Sequence, residues 1–191
     1  MNPVQLFDEW LSEELKHKTA GISTACCLST IGLDGYPNAR FVSLKETHNN
    51  RFIITGPLNS RKGLEIKING KVALAFWWTA TERQVRIQGT ATIISHAQAE
   101  KYFSDRSFES QIVSTICEQG KPLTDIAILN EKFIKMKSEH EGKTITCPQN
   151  WGGFSIKPLR FEFMEFKQSR FHERKTYEQK DGQWFMEMIQ P

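Results

Sequence analysis

The sequence predicts a mainly β fold with inserted α-helices, in the form of a small antiparallel barrel. Three observations carry that expectation. Several short runs, among them "KVALAFWW" and "ERQVRIQGTATII", are rich in β-branched and aromatic residues. Turn-forming pairs at Asp34-Gly35, Asn49-Asn50 and Asp181-Gly182 separate neighbouring runs, as hairpins require. Helical stretches with their own caps are inserted between the strand runs.

In chain order, "NPVQLFDEWLSEEL" opens as a helix over about 3–16. Asn2 suits its cap, Pro3 its first turn, and Leu6, Phe7, Trp10 and Leu11 form an apolar stripe. "STACCLSTIGLDGYPNARFVSLK", from Ser23, reads as two strands around Asp34-Gly35, and "RFIITG" as a third. "NSRKGLEIKIN" suits a short helix capped by Asn59 or Ser60. Two more strands follow. Ser95 and Gln98 have capping-box spacing, which starts a helix in "SHAQAEKYFSDR". "LTDIAILNEKFIKMKSEH" is a longer helix with Ile126, Leu129, Phe133 and Met136 on one side, so a helical insertion spans about 95–140. Strand character returns in "WGGFSIKPLRFEFMEF", interrupted by Pro158, and the chain closes on a hairpin turned at Asp181-Gly182.

The 191 residues suit a single domain, and a hydrophobic share of 39% gives it a core. A net charge of +3 is too mild to point to nucleic acid, and no apolar run is long enough for a membrane span. "MNPVQLFDEW" lacks the pattern of a secretion leader, so cytoplasmic residence is expected. Cys26, Cys27, Cys117 and Cys147 form no CxxC pair and no zinc-ligand spacing; no metal site is expected, and the thiols read as structural.

Five stretches concentrate polar chemistry. In "RFVSLK", a strand would put Arg40, Val42 and Leu44 on one face and Phe41, Ser43 and Lys45 on the other; taken alone, a plain strand with charged ends is the favoured explanation. In "NSRKG", Arg61 and Lys62 fall in a first helical turn, where cations oppose the helix dipole unless an anion sits there; two solvated loop cations are the alternative. In "ERQVRIQG", Gln84, Arg86 and Gln88 share a face, and the amide of Gln84 suits a heterocycle edge or simply water. In "YFSDRSFES", continuous helical spacing would align Tyr102, Arg106 and Ser110 to grip a phosphate, or form the polar side of an amphipathic helix. In "SRFHER", an extended chain would put Arg170, His172 and Arg174 on one face, either an exposed edge or the wall of an anion site.

Taken together and in this order, "RFVSLK", "SRKG", "ERQVRIQG", "YFSDRSFESQI", "WGGF", "EF" at 162–163 and "RFHER" resemble the pyridoxamine 5′-phosphate oxidase family, nearly end to end. The resemblance implies one split β-barrel domain of the FMN-binding type over residues 1–191, acting as a homodimer with FMN at the subunit interface. It places cofactor contacts at Arg40, Phe41, Val42, Ser43, Leu44, Lys45, Ile54, Thr55, Arg61, Lys62, Gln84 and Met164. Further cofactor contacts fall at Gln119, Gly120 and Arg174, with Gln119 and Arg174 reaching in from the second subunit. It places the substrate 5′-phosphate at Lys45, Tyr102, Arg106 and Ser110, and sets Arg170 and His172 over the substrate ring as the catalytic pair. The implied reaction takes pyridoxamine or pyridoxine 5′-phosphate to pyridoxal 5′-phosphate by hydride transfer to flavin N5, with O2 reduced to H2O2. Met164, Ile54, Gly120, Glu173 and Met188 depart from the residues usual in the family. Two alternatives stay open: a flavin enzyme of this fold with another small substrate, and a non-catalytic flavin- or pyridoxal-phosphate-binding protein.

Overall fold

A computed structural model describes residues 2–17, 22 and 24–191. Among the described residues there are five helices and eight strands. Helix α1 (Pro3–Leu15) begins where the sequence predicts: the Asn2 side chain accepts from the Val4 N–H at 3.0 Å. It ends one residue before the expected position 16. The expected strand start at Ser23 lies outside the described residues.

Strands β1 (Ala25–Ile31), β2 (Pro37–His48) and β3 (Arg51–Pro57) form an antiparallel meander. Asn49 and Asn50, both with positive φ, make its second turn. Helix α2 (Arg61–Ile68) follows, and Ser60 occupies its cap position without a side-chain cap bond, donating instead to the Pro57 carbonyl. Strands β4 (Lys71–Trp78) and β5 (Arg83–Ile93) lead to α3 (His96–Ser104), where the predicted capping box is present. Helices α4 (Phe108–Ile116) and α5 (Ile126–His140) complete the insertion; β6 (Trp151–Glu165), β7 (Glu173–Lys180) and β8 (Gln183–Ile189) complete the sheet.

The strand order is β3-β2-β1-β4-β5-β6-β7-β8, and β3 also pairs with β6. That extra ladder, from Phe52↔Ile156 to Pro57↔Trp151, closes six strands into a barrel. Beyond it, β7 takes the edge of β6 that β3 leaves, pairing with Arg160–Glu165, so the β7–β8 hairpin splays from the barrel. Close approach of β3 explains "WGGF". A Cβ at Gly153 would lie 2.6 Å from the Ile54 carbonyl, and one at Gly152 would lie 2.9 Å from the Leu58 side chain.

Three expectations need correction. Pro158 does not interrupt the strand. It pairs with Gly89 beside a register shift, the kind of irregular position where a strand tolerates proline. Residues 169–172 are not extended: β7 begins only at Glu173, and Arg170 has φ +66° in a turn. The helix expected to carry Tyr102, Arg106 and Ser110 together breaks after Ser104, because Ser107 caps a new helix through the Ser110 N–H.

Phe7 of α1 plugs one end of the barrel and is fully buried, its ring centroid 4.9 Å from those of Phe52 and Phe76. Burial of a side chain of this size stabilises by about 1.5–3 kcal/mol. Buried Glu14 ties the same helix to the β4–β5 turn by accepting from the Ala80 and Thr81 amides and the Thr81 hydroxyl. A second apolar cluster, with Ile53, Phe103, Ile112 and Trp151 at its centre, seats the helical insertion against the barrel. Phe133 and Met136 of α5 pack on it, while Ile126 of the predicted stripe is exposed.

Candidate functional site

A cleft of about 540 Å³ opens between β2, β3, the start of α2 and the α3–α4 region. Arg40, Lys45, Lys62 and Arg106 line it, with no carboxylate among its described lining residues. Phe41, Val42, Ser43, Thr55, Trp151 and Gln119 complete the wall. Each cation is brought there by a local feature of the chain. Lys45 is the extra residue of a bulge, since Leu44 pairs with Ile54 and Glu46 with Ile53; such a bulge re-aims a side chain. Arg106 lies in the α3–α4 break, its guanidinium 5.5 Å from the centre of the Trp151 ring. Lys62, in the first turn of α2, is 8% exposed and donates to Gln119 Oε1 at 2.7 Å and Ser60 Oγ at 3.1 Å.

Three of these cations lose part of their solvation. Burial, then the Arg40 charge, lowers the Lys62 pKa to about 8. Burial and then the Arg106 charge lower that of Lys45, and burial lowers that of Arg106. Arg106 Nε is buried without a hydrogen-bond partner. An ammonium has three donors, and Lys62 uses two, so donor capacity remains at the cleft. The cleft is thus suited to a dianion such as a phosphate monoester.

Glu65, which the sequence reading missed, organises the rim. It is fully buried on α2. Its Oε1 accepts from Asn38 Nδ2 at 2.6 Å and Arg61 Nε at 2.9 Å; its Oε2 accepts from Thr30 Oγ1 at 2.6 Å and an Arg40 N–H at 2.9 Å. Burial raises this carboxyl, but the Thr30, Arg61 and Asn38 hydrogen bonds and the Arg40 charge outweigh it, leaving the pKa below the ordinary value. The i,i+4 spacing of Arg61 and Glu65 is the one trace of this in the sequence.

The other expected site residues fall in distinct places. Arg61 points to Asp34 and Glu65 and does not line the cleft. Leu44 and Ile54 are core residues. Gly120 makes a positive-φ turn after Gln119. Gln119, expected to reach in from a second subunit, lies in its own chain's cleft at Lys62. The Tyr102 hydroxyl donates to the Glu46 carboxylate; burial, then that bond and that charge, raises its pKa to about 12. The Ser110 hydroxyl is bonded to that of Ser107.

Gln84, Met164 and Arg174 share one transverse row on the outer barrel face, as direct partners across β5, β6 and β7. Arg174 is held by buried Glu162 at 2.7 Å, and Glu162 also pairs with Arg86. Arg170 and His172 line a separate cleft of about 520 Å³ with Trp77 and Phe166. His172 Nδ1 accepts from the Lys167 N–H at 3.1 Å, so the neutral ring carries its proton on Nε2.

Residues 13–139, more than half of the chain, match the family model described as "Pyridoxamine 5′-phosphate oxidase". The chain belongs to the pyridoxamine 5′-phosphate oxidase family. Residues 151–191 match its "Pyridoxine 5′-phosphate oxidase C-terminal dimerisation region", which supports a homodimer. The pyridoxine/pyridoxamine 5′-phosphate oxidase of Leptospira biflexa is 37% identical over 190 residues, covering 100% of this chain and 89% of that protein. The one from Porphyromonas gingivalis is 34% identical, covering 99% and 88%. In fold, PhzG from Burkholderia lata, solved with tetrahydrophenazine-1-carboxylic acid, superimposes with a TM-score of 0.94 at 24% identity, covering 99% of this chain and 92% of that one. A pyridoxamine 5′-phosphate oxidase-related, FMN binding protein from Nostoc punctiforme gives 0.80 at 16% identity, covering 98% and 96%. Membership of the family points to a flavin-linked oxidoreductase. No helix among the described residues is long and apolar enough to cross a membrane.

Proposed function

We propose that this chain oxidises pyridoxamine or pyridoxine 5′-phosphate to pyridoxal 5′-phosphate, with FMN as its flavin and O2 as the final acceptor, yielding H2O2. The observation that carries this reading is the convergence of Arg40, Lys45, Lys62 and Arg106 on one cleft whose described lining holds no carboxylate, with Arg106 Nε buried and unpartnered there. The flavin, when bound, supplies the acceptor for a hydride from the substrate C4′ carbon, and O2 restores it.

The protein's part is binding and orientation. Lys62 and Arg40 hold the cofactor phosphate, with Arg40 braced from behind by Glu65. Thr55 and Gln119 add neutral hydrogen-bonding groups beside it. Lys45 and Arg106 take the substrate phosphate; Tyr102 joins them once its hydroxyl leaves Glu46. Gln84, Met164 and Arg174 offer one row of contacts to the flavin ring. Arg170 supplies positive charge over the substrate ring, and His172 orients it through Nε2. Since these two line a different cleft from Lys45 within one chain, the reading needs the homodimer, in which the Arg170 loop of one copy covers the cationic cleft of the other. Cytoplasmic residence accompanies this reading, since both substrate and flavin phosphate are charged.

Purified chain supplied with FMN and pyridoxine 5′-phosphate in air should form aldehyde and peroxide in equal amounts. A second reading, a flavin oxidase for a substrate without phosphate, draws on the engagement of Tyr102 by Glu46 and of Ser110 by Ser107. Flavin uptake with no B6 product would favour it. A chain that stays colourless with added FMN would refute both.

A further inference from the structure

The 166–172 loop carries both Arg170 and His172, and its internal bonds converge on Lys167, which lines the same cleft. Lys167 gives its backbone N–H to His172 Nδ1 at 3.1 Å, and its carbonyl accepts from the Arg170 N–H at 3.0 Å. Its ammonium reaches Glu165 at 2.9 Å and Glu173 at 3.5 Å. Those two carboxylates are the last directly opposed pair of the β6–β7 ladder, so they stand side by side at the neck of the loop. Like charges directly opposite each other push strands apart.

Arg83 and Lys175 also favour the charged Glu165 through their fields, but neither makes an ion pair with it. Arg83, the β5 partner of Glu165, has its guanidinium committed to Glu13 and stacked over the Trp10 ring at 4.5 Å. Among the described residues, Lys167 is the only cation within ion-pair distance of both carboxylates. We propose that Lys167 is a positioning residue: its ammonium closes the loop's neck between Glu165 and Glu173, and its backbone then fixes Arg170 and His172. The part of this that concerns the reaction rests on Arg170 and His172 being the substrate-side pair.

The test is amide hydrogen exchange over residues 166–173 in the full chain with FMN added, comparing wild type, Lys167→Met, Lys167→Arg and Lys167→Met/Glu173→Gln. Methionine keeps the stem and the backbone bonds but removes the charge. Loss of two exposed ion pairs and exposure of the like-charge pair should speed exchange at Lys167 and Arg170 about twofold to tenfold. Arginine should restore wild-type protection, and the double variant should recover part of it, because the repulsion is gone. Unchanged exchange in Lys167→Met, or no recovery in the double variant, would overturn the proposal. Turnover of pyridoxamine 5′-phosphate should follow the same order across the four proteins; faster exchange with unchanged turnover would overturn the positioning role. If wild type oxidises no B6 phosphate, the oxidase assignment fails by itself, and the exchange comparison still decides what Lys167 does to the loop.

Discussion

If Lys62 holds the flavin phosphate as proposed, FMN affinity should depend on pH. In the free chain its pKa is about 8, lowered by burial and then by Arg40. A phosphate dianion at the third ammonium donor favours the charged form, so the bound state holds its proton to higher pH. Binding above pH 8 therefore takes up a proton. A phosphate monoester has its second ionisation near pH 6 and stays a dianion throughout, so the ligand's own charge does not change. The apparent Kd should be flat from pH 7 to nearly 8, then rise; at pH 9 the free chain is only about one-tenth protonated at Lys62, and binding is about tenfold weaker than at pH 7. Lys62→Met should bind about tenfold to a hundredfold more weakly at pH 7, the worth of one charged hydrogen bond, and should lose the slope. Flavin fluorescence titrations of the apo chain at constant ionic strength read both. The sign for stability is the reverse: the unfolded chain keeps this proton to about pH 10.5, so Lys62's contribution to apo stability rises between pH 8 and 10.5. A wild-type Kd that is the same at pH 7 and 9, or an equal slope in Lys62→Met, would refute the reasoning.

Glu65→Gln replaces one carboxylate oxygen by an amide N–H₂ that faces donors, either Asn38 and Arg61 or Thr30 and Arg40. Urea unfolding should show a loss of about 3–5 kcal/mol, as for a broken buried ion pair; a loss under about 1 kcal/mol would mean the network is dispensable. Arg170→Ala should cut turnover about tenfold to a hundredfold while leaving bound flavin per chain near the wild-type value. Equal losses of both would remove Arg170 from the substrate side.

Much of the fold was legible because its signals are local. Asn2, Ser95 and Gln98 are caps that act within three residues, and the pairs Asp34-Gly35, Asn49-Asn50 and Asp181-Gly182 need only their own φ angles. The β3–β6 closure was not legible, since it joins strands about a hundred residues apart. Pro158 misled because its cost depends on strand regularity at its position, and it sits beside a register shift that spacing does not reveal. The polar alternation of "SRFHER" presumed an extended chain, whereas Lys167 folds that stretch into a loop. At the site, Lys62 was readable from its place in a first helical turn. Lys45 owes its aim to a bulge, and Glu65 owes its role to four donors drawn from separate elements. The bulge leaves no mark on residue spacing, and the Glu65 network leaves only the i,i+4 spacing of Arg61 and Glu65.

The central claim is that one working site is built from two copies, the cationic cleft of one and the Arg170 loop of the other. Mixing Arg106→Ala chains with Arg170→Ala chains, after dissociation and reassociation, tests it directly. Random pairing makes about half of the dimers mixed, each with one intact site, so the mixture should regain about a quarter of wild-type oxidase activity. A mixture no more active than its two parents would contradict the account.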